Sequence, residues 1–119
     1  MSNNIIQNKT YDFAVEIVNL YKTISGEHNE YVLSKQLLRS GTSIGANTEE
    51  AIGAQSKKDF IHKFSIAYKE ARETKYWLRL LMDSSYLSKE KAELYISKVD
   101  EILKIITAIQ KTSKNNINN

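Results

Sequence analysis

Lys58, Ser65, Lys69, Arg72, Tyr76 and Arg79 recur at steps of seven, four, three, four and three. On an α-helix those steps keep all six within about 80° of one another. Cations with one aromatic on a single face suit a phosphate backbone. Lysine and arginine neutralise phosphates, and a tyrosine ring can stack on a base. Lys57 and Lys58 open the same segment, where the free N–H groups of a helix start favour anions. Upstream, Lys35 and Arg39 extend positive charge over a second polar face. RNA or DNA is the partner this pattern points to. An ordinary solvated face has the same composition, and Glu73 lies close to the stripe.

Other chemistries fit less well. Four-helix bundles that hold two metal ions use paired Glu-x-x-His motifs on facing helices. Here only Asp59 and His62 stand three apart, His28 falls in a turn, and Asp59 suits a helix start. No metal site is expected. Glu49 and Glu50 diverge by about 100° on a helix, so they cannot share an acid–base site. Glu70 and Glu73 can approach each other, as a solvated pair or as ion-pair partners. Gly-rich phosphate loops, nucleophile elbows and zinc motifs are missing from the sequence. No catalytic residue, cofactor or small-molecule substrate is expected.

Bulk composition narrows the class. The absence of cysteine excludes disulfides and thiolate chemistry and suits a reducing compartment. Proline is also absent, which leans toward helix. The net charge of +3 is mild, but it is unevenly spread. Residues 1–31 carry two lysines and four acids, whereas residues 35–79 carry nine basic and five acidic groups. The first ten residues lack a basic region followed by an apolar run, and no apolar stretch approaches the ~20 residues that span a bilayer. A soluble, cytoplasmic protein without a membrane partner is expected.

The elements that must position the stripe follow from apolar steps of three and four. Phe13, Ile17, Leu20 and Ile24 mark a first helix with Gly26 as its stop. Leu33, Leu37, Gly41, Ile44, Thr48 and Ala51 mark a second. The third reads Phe60, Phe64, Ala67, Ala71, Thr74, Leu78 and Leu81, with Ser56 as its N-cap. Ser88 caps a fourth, whose core face is Tyr95, Val99, Ile102, Ile106 and Ile109. The predicted spans are 5–25, 32–55, 57–83 and 88–112, with 113–119 as a frayed tail. Short connections make this one all-α domain over 1–119, an antiparallel up-down-up-down four-helix bundle.

The stretch "RSGTSIGANTEE" looks like a loop because each mid-helix glycine costs roughly 1 kcal/mol against alanine. Its apolar phase nevertheless runs unbroken through Gly41 and Gly45, so it reads as continuous helix with room for a close neighbour. Asn47 and Glu50 fall at the edge of the core face. They are expected to hydrogen-bond or ion-pair across helices or subunits, with Arg72 or Lys75 as partners. Helix three also carries His62, Ile66, Trp77 and Leu80 roughly opposite its core stripe, and helix four adds Leu94, Ile96 and Ile105. That second apolar series reads as a subunit interface anchored by Trp77.

Three segments together resemble a known family. They are Ser43, Ile44, Gly45, Ala46 and Asn47 with Glu50; Ser56, Lys57, Asp59 and Phe60; and the run from Glu70 to Leu78. The chain from about residue 10 to 110 resembles the bacterial four-helix-bundle proteins named for members encoded in intervening sequences of 23S ribosomal RNA genes. That family also takes in the accessory protein of diversity-generating retroelements. The resemblance implies an up-down four-helix bundle, commonly a homopentamer, with no established enzymatic activity. It also implies RNA or a ribonucleoprotein as partner. A protein–protein scaffold without nucleic acid is the alternative.

Overall fold

In the computed structural model, which describes the backbone of residues 2–118 and the side chains of 5–115, the four apolar series become four helices. They are α1 (Ser2–His28), α2 (Val32–Ile52), α3 (Lys57–Asp83) and α4 (Lys89–Asn118). No strand occurs among the described residues.

Several ends differ from the sequence expectation. α1 runs through Gly26, because Asn29 takes the left-handed turn position at φ 52° and ends the helix three residues later. Asparagine tolerates that conformation almost as glycine does. α2 stops at Ile52, where the N–H of Gly53 donates to the Glu49 carbonyl and that of Ala54 to the Ala51 carbonyl, both at 3.1 Å. The tail expected to fray continues as helix to Asn118, while Asn119 lies outside the described residues.

α2 also starts without the usual side-chain cap, since Tyr31 supplies none. Glu30 does the work instead. Its carboxylate accepts from the N–H groups of Val32, Leu33 and Ser34 at 2.8–3.0 Å. Burial pushes this carboxyl up, but the backbone N–H groups of Leu33, Ser34 and Val32 outweigh it and hold the group below its ordinary value. At the other two starts the serines act as the sequence suggests. Ser56 accepts from the N–H of Asp59 at 3.1 Å, and Ser88 from that of Lys91 at 3.2 Å.

Helix order is cyclic. α1 packs on α2, α2 on α3, α3 on α4, and α4 closes more thinly against α1. The contacts run antiparallel. Gln7, Thr10 and Ile17 on α1 meet Glu49, Gly45 and Gly41 on α2, so one number rises as the other falls. Lys63 with Glu50 and Thr74 with Ser40 repeat this between α2 and α3. Ser65 with Gln110 and Lys75 with Asp100 repeat it between α3 and α4.

The glycine pair sets the α1–α2 spacing. A Cβ on Gly41 would stand 2.8 Å from Ile17 Cγ2, and one on Gly45 would stand 3.2 Å from the Thr10 carbonyl oxygen. Two helical glycines cost about 2 kcal/mol against alanine. The close approach they permit helps bury Ile17 and Ile44 completely, and each such side chain contributes about 1.5–3 kcal/mol. Burial therefore outweighs the propensity loss.

The core holds every residue of the four predicted series as buried or partly buried, and adds Ile6, Leu87 and Ala92. Thr10, Ser34, Ser40, Thr48 and Thr74 are buried too. Their hydroxyls are satisfied locally, as when Thr10 donates to the Ile6 carbonyl at 2.8 Å. Thr74 donates to Ser40 Oγ at 3.0 Å, a polar tie between α2 and α3. Buried hydroxyls with partners cost little.

Candidate nucleic-acid interface

The flank of α3 that borders α4 is defined by two contacts. Gln110 Nε2 donates to Ser65 Oγ at 2.8 Å, and Lys75 Nζ donates to Asp100 at 2.7 Å. Ser65 belongs to the basic stripe, so the stripe runs along the α3–α4 seam. Lys57, Lys58, Lys69, Arg72 and Arg79 are exposed there, with no ion pair among the described residues. From Lys58 to Arg79 the stripe spans about 30 Å at the helical rise.

Near the end of the stripe the seam opens into a groove of about 310 Å³, lined by Arg72, Lys75, Tyr76, Arg79 and Leu103. Tyr76 is 55% exposed between the two arginines. Its ring meets that of Trp77 edge-on, with centroids 5.0 Å apart. Lys75 is neutralised by Asp100, so the free charge at the groove is that of Arg72 and Arg79.

α4 adds cations that reading helix three alone missed. Lys104, Lys111 and Lys114 are exposed on α4. Lys114 lies one turn on from Gln110, which bonds Ser65 of α3, whereas Lys104 acts on the Glu101 carboxyl that pairs with Lys9 of α1. None has an ion pair among the described residues. Their spacing of seven and three stands in the sequence, where the apolar faces of helix four dominate the pattern. α4 thus adds exposed cations to those of the α3 stripe.

Lys35 and Arg39 do not join this flank. α2 packs against the opposite side of α3, and among the described residues it is not a backbone neighbour of α4. Arg39 pairs there with Glu70 at 3.2 Å and with Glu73. Glu73 also accepts from Trp77 Nε1 at 2.8 Å. This indole hydrogen bond, and then the Arg39 guanidinium, hold the Glu73 carboxyl below its ordinary range. The bond to Glu73 in turn stabilises the charged form of Arg39. Lys35 remains exposed on α2, with no ion pair among the described residues.

The second apolar series falls on that same α2-facing side. Trp77 is partly buried and packs on the core, with its polar edge satisfied by Glu73. Ile66 and Leu80 are partly buried, and His62 is exposed. On α4, Leu94 is well exposed, whereas Ile96 and Ile105 pack against the core.

The signature residues of α2 make local bonds. Ser43 Oγ donates to the Arg39 carbonyl at 2.6 Å, and Asn47 Nδ2 donates to the Ser43 carbonyl at 2.8 Å. Glu50 does cross to α3, but it pairs with Lys63 at 2.8 Å, not with Arg72 or Lys75. The antiparallel register explains the difference, because it sets the end of α2 beside the start of α3. Among the described residues, no group of three or more histidines or carboxylates is placed to hold a metal. Within the same residues no helix is long and apolar enough to cross a membrane.

Comparison with known proteins adds two findings. The family model described as 23S rRNA-intervening sequence protein matches residues 2–108. A solved structure from Bacteroides thetaiotaomicron VPI-5482, described as a protein with unknown function from the S23 ribosomal protein family, is 51% identical. It superposes with a TM-score of 0.92, and the match covers 93% of this chain and 99% of that one. No curated protein matches the chain.

Proposed function

The chain belongs to the 23S rRNA-intervening sequence protein family, and from that membership and the α3–α4 geometry we propose a non-enzymatic bundle that assembles with its own copies and binds RNA or DNA. The observation that carries this reading is the row of exposed cations on α3, with Arg72 and Arg79 free of ion pairs among the described residues on either side of exposed Tyr76. Free cations in a row attract a phosphate backbone. Six of the fourteen acids, Glu16, Glu50, Glu70, Glu73, Asp100 and Glu101, sit in ion pairs.

The protein works in the cytoplasm, with five copies as the family resemblance implies. Association through Ile66, Trp77 and Leu80 uses the α2 side of α3 and leaves the basic stripe uncovered. A ring repeats the stripe around its circumference and multiplies weak contacts into useful affinity. The test is a fluorescence-anisotropy titration of labelled RNA and DNA at ~50 mM salt, where phosphate-driven binding is strong. Micromolar or tighter binding is expected. An unchanged anisotropy would leave the bundle as a scaffold for protein partners alone.

A further inference from the structure

We infer that the groove between Arg72 and Arg79 takes an unpaired base, so that the flank recognises single strands over duplexes; this rests on the nucleic-acid reading above. Tyr76 is the reason. A surface built only to hold phosphates gains nothing from an aromatic ring left 55% exposed in its middle. In a duplex the base faces are stacked on each other and cannot reach such a ring. In a single strand every base has a free π-face, and stacking on an aromatic side chain tolerates any sequence.

The geometry fits one stacked base with phosphates on either side. Arg72 and Arg79 lie one turn before and about one turn after Tyr76 on the same face of α3, so a strand running along the seam meets cation, ring and cation in turn. Leu103 adds apolar surface to the groove's lining, and the charge of Lys75, also in the lining, is already met by Asp100. The edge contact with Trp77 braces the tyrosine ring before any ligand arrives. A braced ring loses less conformational freedom on binding. Hydrogen bonding to base edges is not required, so uridine-rich RNA and thymidine-rich DNA serve equally as probes of the stacking.

The experiment compares labelled oligouridylate, oligothymidylate and a mixed-sequence duplex, each about 12 units long, against wild type, Tyr76→Ala, Tyr76→Phe and Arg72→Glu/Arg79→Glu. The single tryptophan touches Tyr76, so its emission gives a second readout. Single strands should bind more tightly than the duplex and change the Trp77 emission. Tyr76→Ala should weaken single-strand binding roughly 5- to 100-fold and spare the duplex, and Tyr76→Phe should restore it. Circular dichroism checks that each variant keeps its helices, which an exposed side chain makes the expected outcome. Equal binding of duplex and single strands, unaffected by Tyr76→Ala but lost on charge reversal, would overturn the stacking site and leave the phosphate reading standing. No binding of any probe would overturn both.

Discussion

Gly41 of α2 lies so close to Ile17 of α1 that a Cβ added to it would stand 2.8 Å from Ile17 Cγ2 and 3.0 Å from Cγ1. Real carbon atoms do not approach that closely, and Ile17 is fully buried in the core cluster. Gly41 is thus a spacing device between α1 and α2.

Gly41→Ala should destabilise the protein, although alanine is the better helix former by about 1 kcal/mol. Overpacking typically costs ~1–3 kcal/mol, which exceeds that gain. Gly41→Leu should be worse. The decisive control is Ile17→Ala, which removes the clashing carbons. In that background Gly41→Ala should be neutral or stabilising, so a double-mutant cycle by urea denaturation should show strong coupling. Independent, additive effects would refute the spacing account.

Glu30 provides a pH-dependent contribution. Its folded-state carboxyl lies below the ordinary 4.5 because, against the upward push of burial, backbone N–H groups favour the charged form. Stability from this cap is therefore fully present above about pH 4.5 and is lost as pH falls through the lower folded value. Glu30→Ala should lower Tm at pH 7, and the gap to wild type should narrow in acid. A gap that stays constant from neutral to acid would argue against a charge-dependent cap. The site is partly exposed, so the loss should resemble an ordinary N-cap deletion, about 1 kcal/mol.

Much of this fold was legible because apolar phase survives where local propensity falters. Leu33, Leu37, Ile44 and Ala51 kept one phase through Gly41 and Gly45, and the helix is continuous there. Residues with hydroxyls hid the rest. Ile6 and Thr10 continue the series of Phe13, but threonine reads as polar until its hydroxyl is seen to bond the Ile6 carbonyl. Charge was harder. Arg39 looks free on a single-helix wheel, yet its partners Glu70 and Glu73 lie on the neighbouring helix and only the register brings them together. Lys114 gains its meaning the same way, one turn on from Gln110, which bonds Ser65 of α3.

Assembly can be read by light scattering on a sizing column. The chain has a mass of 13.7 kDa, and the wild type should elute as a defined multiple of it, with five copies expected. Ile66→Glu and Leu80→Glu place charges on the α2-facing side of α3 and should shift the mass toward the monomer while helicity is kept. A wild type that is monomeric at tens of micromolar (a typical working concentration) would remove the interface without touching the basic stripe.

The basic stripe is tested most directly by the salt dependence of single-strand binding. For single strands the slope of log K against log salt is about −0.7 for each phosphate neutralised. Arg72→Glu/Arg79→Glu removes two unpaired cations, so the slope should become shallower by about 1.4 or more, with affinity reduced at every salt concentration. Arg39→Gln is the matched control, because its guanidinium is already held by Glu70 and Glu73, and its slope should equal that of wild type. Slopes that are identical in all three proteins, or binding that ignores salt, would contradict an interface built on the α3–α4 seam.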